Sequence, residues 1–176
     1  MYKYLLKVKL DRFYKNYSRE KRFLNLKDIQ SILILFDTAD YESVDGIVDN
    51  LEKLGKKITV YAYKGKKDEY DYSETPYHII TAKSAGALFD NKMSKFAEEL
   101  KEQQYHAVID LTAKRNIPLE YLLAHANAFI KTGLKKNDYP QYDLSITTLS
   151  EEETEIPNVN ELGNQIIHYL RTIQAK

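Results

Sequence analysis

Ser31-Ile-Leu-Ile-Leu-Phe36 is an unbroken apolar run that ends in Asp37-Thr38-Ala39-Asp40 and passes directly into a helical period, with no glycine in the turn. Without polar alternation, such a run suits a strand buried on both faces. The missing glycine matters as much. A strand-turn-helix that cradles phosphate uses glycines where the backbone closely approaches the ligand. The stretch therefore reads as a nucleotide-binding scaffold without nucleotide-binding chemistry.

Downstream, residues 41–54 keep Val44, Ile47, Val48, Leu51 and Leu54 on one face, and Gly55 stands where a helix-ending glycine belongs. Strands follow at 57–63 and 77–81, separated by a polar loop over 64–76. A helix over 91–104 rests on Met93, Phe96, Ala97 and Leu100, and His106-Ala-Val-Ile-Asp110 is a fourth strand. Residues 117–126 are helical, with Pro118 tolerated in the first turn. Short strands at 128–131 and 142–147 precede an acidic loop, Glu151 to Glu155, and a closing helix over 158–174.

Strands separated by crossover-length helices cannot be hairpins, so the sheet is expected to be mainly parallel. Right-handed crossovers then give the order 3-2-1-4-5-6, with 2-1-3-4-5 as the alternative. The predicted fold class is α/β: a Rossmann-like three-layer α/β/α sandwich of five to six strands with an N-terminal amphipathic helix.

That helix is predicted over residues 2–20, because Tyr2, Leu6, Leu10, Phe13 and Tyr17 share one stripe while Lys7, Arg12, Lys15 and Arg19 lie opposite. Residues 1–24 hold eight basic and two acidic side chains, +6 in a chain of net charge zero, so the remainder carries −6. The expected organisation is a basic leader, 1–24, and a single Rossmann-like domain, 25–176. These nine leader residues are candidates for partner contact. The favoured reading docks the apolar stripe on the chain's own domain, on a second copy or on a protein partner. An anionic membrane surface or nucleic acid is the less favoured reading.

With 43% apolar and 30% charged residues, the composition is that of a globular chain rather than a disordered one. Cysteine is absent, which excludes disulfides and thiolate catalysis. The N-terminus interleaves charge with its apolar residues, so neither a signal-peptide core nor a membrane span is predicted, and the expected location is the cytoplasm.

Ligands of open parallel sheets bind beyond the carboxyl ends of the strands, where the strand order reverses. Under the order 3-2-1-4-5-6 that point lies between the first and fourth strands. Asp37, Thr38, Asp40, Asp110 and Thr112 are therefore the ligand-binding candidates, with chemistry suited to a sugar, a divalent cation or a general base. The competing reading is helix capping, with Asp40 and Asn116 at the cap positions. His78, His106, His125 and His168 form no i, i+4 ligand pair, so no metal site is predicted. No Walker loop, nucleophile elbow or zinc-protease helix occurs, and Gly86 reads as a loop turn. No catalytic residue and no cofactor are predicted.

Tyr105-His-Ala-Val-Ile-Asp-Leu-Thr112, with Tyr121-Leu-Leu-Ala-His-Ala-Asn-Ala-Phe-Ile-Lys-Thr-Gly133, resembles the N-terminal domain of heptosyltransferase-type GT-B glycosyltransferases over about residues 30–135. That resemblance implies a Rossmann-like architecture. The chain departs from the family at the first turn, where Ala39-Asp40 replaces a Gly-Asp whose acid is implicated in catalysis, and 176 residues leave no room for the second domain. Taken whole, with its basic leader and Ile166-Ile-His-Tyr-Leu170, the chain is more similar to a family of short bacterial proteins of unknown function. The function expected is a non-enzymatic interaction or small-ligand-binding module. The alternatives are an enzyme using an Asp37/Asp110 crevice and surface binding through the leader.

Overall fold

The computed structural model describes residues 2–15, 18–81, 91–147 and 158–174, except for the side chains of 2–7 and 91–92. The readings placed on Tyr17, Gly86 and the loop Glu151 to Glu155 lie outside these residues, and so do the side chains of Tyr2, Leu6 and Lys7.

β1 (Ser31–Asp37) is central, with β2 (Lys57–Lys64) parallel on one side and β4 (Gln104–Asp110) parallel on the other. β3 (His78–Thr81), β5 (Asn127–Leu134) and β6 (Leu144–Ile146) complete an all-parallel six-stranded sheet of order β3-β2-β1-β4-β5-β6. The Rossmann-like order predicted from the crossovers is thus the one adopted.

The apolar run of β1 serves two cores because successive side chains leave a strand on opposite faces. Leu33 and Leu35 pack in a cluster with Leu10 of α1 (Tyr2–Lys15), Phe96 and Leu100 of α3 (Asn91–Glu102) and Leu122 of α4 (Ile117–His125). Ile32, Ile34 and Phe36 join the other core, with Val44 and Leu51 of α2 (Tyr41–Lys53) and Leu162 and Ile166 of α5 (Val159–Thr172). Gly55 closes α2 at φ 75°, a conformation that costs other residues strain. Among the described residues no helix is long and apolar enough to cross a membrane.

Three boundaries differ most from the sequence reading. α1 ends at Lys15, and residues 18–20 are not helical. There the chain is strapped to β5: Arg19 Nη1 donates to the carbonyls of Ala128 (2.8 Å) and Phe129 (2.9 Å), and Nη2 pairs with the Asp143 carboxylate. β5 runs on through Lys131, read from sequence as a strand end, because its ammonium is buried and donates to the Leu123 carbonyl at 2.6 Å, at the end of α4. Burial pushes that ammonium well below the usual lysine range, helped by the nearby Arg19 and Lys21 charges. β6 is short because only Thr132, Gly133 and Leu134 of β5 pair with it.

Candidate functional site

The turn after β1 needs no glycine. Thr38–Asp40 is a single 3-10 turn leading into α2, and among the described residues no non-glycine residue has positive φ. The buried Thr38 hydroxyl donates to Asp68 Oδ2 at 2.5 Å, and Tyr72 donates to the same oxygen at 2.9 Å. Asp68 lies in the loop after β2, so this clasp holds that loop against the end of β1. The hydrogen bond from Thr38 is the main reason the Asp68 carboxyl sits below the usual range.

The clasp gives one wall of a cleft of about 920 Å³ at the carboxyl ends of β1, β2 and β4. Asp37, Thr38, Asp40 and Ser43 form its centre. Lys66, Lys67 and Asp68 line it from the loop after β2, and Lys114, Arg115 and Asn116 line it from the loop after β4. The strand order dictates this arrangement, because β2 and β4 flank β1. Arg115 is engaged by Glu120 at 3.0 Å. Lys66, Lys67 and Lys114 are exposed, and their ammonium groups form no ion pair or hydrogen bond among the described residues.

Asn116 joins the two sides. Its Oδ1 accepts from the Leu119 N–H at 3.3 Å and caps α4, while its Nδ2 donates to Asp37 Oδ1 at 2.7 Å. The capping reading thus holds for Asn116 but not for Asp40. Asp40 stands at the start of α2 without a capping hydrogen bond, because the preceding 3-10 turn already continues into the helix. Burial pushes the Asp37 carboxyl up to about 6; Asn116 opposes this, and Asp110 and Asp40 add to it. Burial also raises Asp40.

Asp110 and Thr112 are placed differently. Both are almost fully buried, and neither lines the cleft. Asp110 Oδ1 accepts from the Thr112 N–H (2.9 Å) and hydroxyl (2.6 Å); Oδ2 accepts from Lys136 Nζ (2.8 Å) and the Tyr142 hydroxyl (2.5 Å). The same Lys136 ammonium also donates to the Thr112 hydroxyl. Burial and the adjacent Asp110 charge raise the Tyr142 phenol well above its ordinary value.

Gly133 makes this network fit. It lies beside Asp110 in the sheet, and a Cβ there would stand 2.6 Å from Tyr142 Cε1 and 3.1 Å from Asp110 Cβ. Gly133→Ala is expected to cost about 2 kcal/mol by displacing the ring from its carboxylate partner. Thermal denaturation checks this, and an unchanged melting temperature would show that the ring shifts freely.

Of the leader candidates, Leu10 is buried, Phe13 lies half-buried with its ring 4.9 Å from His125, and Arg12 and Lys15 are exposed. Arg19 is taken up by the β5 strap. Among the described residues, no three histidine or carboxylate side chains are grouped to hold a metal ion. Sequence reasoning missed Lys66, Lys67 and Lys114 as lining residues, and it read Asn116 as a cap without its bond to Asp37. The signal that would have found them is the strand order, which sends the loops after β2 and β4 to the same crevice.

A family of unknown function (DUF6913) matches residues 3–173. The chain belongs to this family. The DUF6913 match runs from α1 to α5 and assigns no activity. No curated protein matches the chain. Among solved structures, this DUF6913 chain is similar to the crystal structure of an exopolyphosphatase-related protein from Bacteroides fragilis. The TM-score is 0.51 at 14% identity, over 93% of this chain and 44% of that one. The DUF6913 chain thus spans less than half the length of that protein, and at this identity the likeness concerns the fold.

Proposed function

We propose that the chain is a small-ligand-binding module of the cytoplasm, a single Rossmann-like domain with a basic leader, and that its site is the cleft at the end of β1. Its ligand carries an anionic group. The observation that carries this reading is the set of three lysines, Lys66, Lys67 and Lys114, which bring unpaired ammonium groups to one cleft from both flanks. What sets these three apart is that they converge on one cleft, where their summed field favours an anion. The volume falls in the range of small-molecule sites, about 300–1,000 Å³.

Binding is favoured over catalysis for a specific reason. The enzymatic alternative, glycosyltransferase-like or otherwise, pairs Asp37 with Asp110. Both oxygens of Asp110 are already saturated by Thr112, Lys136 and Tyr142, which leaves Asp37 to face the cleft without its partner acid. Turnover of a nucleotide sugar that disappears in Asp40→Ala would overturn the binding reading.

The solved neighbour is described as exopolyphosphatase-related, so pyrophosphate and short-chain polyphosphate are suitable first probes. At ligand concentrations about 100 times the dissociation constant, binding stabilises a fold by about 2.7 kcal/mol, or roughly 5–10 °C for a domain of this size. Replacing Lys66, Lys67 and Lys114 together by alanine is expected to abolish that shift while leaving the unliganded melting temperature nearly unchanged. A shift that survives the triple replacement would place the anion elsewhere.

A further inference from the structure

We infer that the ligand of this cleft is a phosphorylated sugar or polyol, its hydroxyls on Asp37 and Asp40 and its phosphate on the lysines of one wall. The inference rests on the anion-binding reading above and deepens it.

The argument starts from how the two signs of charge are arranged. The centre of the cleft, contributed by the end of β1, is acidic, and the free cations stand on the flanking loops; Asp68, the acid that lines the cleft from one of those loops, already accepts from Thr38, Tyr72 and the Tyr70 N–H. A bare anion would engage a flank but would gain nothing from the centre, where it would meet two carboxyl groups. A ligand that fills the cleft must therefore present hydrogen-bond donors to the middle and negative charge to the side.

The acceptors in the centre are available for such donors. Asn116 holds Asp37 Oδ1, whereas Asp37 Oδ2 makes no hydrogen bond among the described residues. Asp40 has no capping bond to α2 that a ligand would need to break. Asp37 and Asp40 are both partly exposed to the cleft, and their uncommitted oxygens suit vicinal hydroxyls, which a small-molecule site orients by a few hydrogen bonds to fixed acceptors. The Ser43 hydroxyl, which accepts from Asn160 at 3.2 Å, adds a further polar group at the same end. The phosphate meets Lys66 and Lys67 or Lys114 as point charges, which tolerate a range of phosphate positions.

The test compares glycerol 3-phosphate, ribose 5-phosphate and glucose 6-phosphate with inorganic phosphate and with the free sugars, by calorimetric titration of the full chain. At least one phosphorylated compound is expected to bind about tenfold or more tightly than inorganic phosphate, a difference of about 1.4 kcal/mol. Asp37→Asn and, separately, Asp40→Asn are expected to reduce that ratio, whereas removing the lysines of one wall, Lys66→Ala with Lys67→Ala or else Lys114→Ala, weakens phosphate and sugar phosphate together. If inorganic phosphate and every phosphorylated compound bind equally, this inference fails while the anion-binding reading stands. If neither phosphate nor any phosphorylated compound binds, and polyphosphate also produces no thermal shift, the anion-binding reading itself fails. A ratio unaffected by either aspartate replacement would place the hydroxyls outside the centre and would also overturn the inference.

Discussion

Asp110→Ala is expected to destabilise the fold by about 3–5 kcal/mol, the cost typical of removing one member of a buried ion pair. The carboxylate and the Lys136 ammonium are 2.8 Å apart, with side-chain exposures of 2% and 5%. Removing the carboxylate leaves that ammonium with the carbonyl and hydroxyl of Thr112, and it leaves the Tyr142 hydroxyl without its acceptor. Asp110→Asn is expected to cost less, because the amide oxygen still accepts one of these bonds. Urea denaturation of the two variants beside the parent chain measures both losses. A change below about 1 kcal/mol in the alanine variant would show that water or a rearranged partner replaces the carboxylate. The comparison also bears on function, since a residue whose loss chiefly unfolds the chain is a structural acid rather than a reacting one.

Much of this architecture was legible because it depends on local pattern. The run Ile32 to Phe36 has no polar residue to place at a surface, and the helices joining β1 to β2, β3 to β4 and β4 to β5 exclude hairpins there, whereas β2–β3 and β5–β6 pair in parallel across connections without a helix. Asp37, Thr38 and Asp40 could be assigned to the crevice for the same reason, since a strand end at the point of order reversal is a topological address. The fate of Asp110 was not legible. Lys136 and Tyr142, which saturate it, lie 26 and 32 residues away in sequence, and only the pairing of β5 beside β4 brings them in. Gly133 gave no local hint either, because its function is to leave room for a ring from another segment. The end of α1 was misplaced for a related reason: Arg19 continues the amphipathic period, but its guanidinium finds two carbonyls on β5 and the Asp143 carboxylate just before β6, and that long-range set outweighs helix propensity.

Asp37→Asn is expected to stabilise the protein at neutral pH, by up to roughly 3 kcal/mol, and by only about 0.5 kcal/mol near pH 4. In the folded chain the Asp37 carboxyl titrates at about 6, against an ordinary value of 3.8. Below about pH 3.8 the group is protonated in both folded and unfolded states and contributes no pH dependence. Between about 3.8 and 6 the unfolded chain loses the proton while the folded chain keeps it, so stability falls as pH rises. Above about 6 the full cost of a partly buried carboxylate is present. Asparagine keeps an oxygen to accept the Asn116 amide and never ionises, so it removes this cost without removing the bond. Thermal denaturation of both proteins from pH 3 to pH 8 should show curves that converge at the acid end and diverge with the variant higher, most of the divergence complete by about pH 7. Parallel curves would mean that the carboxyl titrates normally. Divergence would mean that the chain sustains a standing energetic penalty at the floor of its cleft, which is the mark of a residue kept for function rather than for folding.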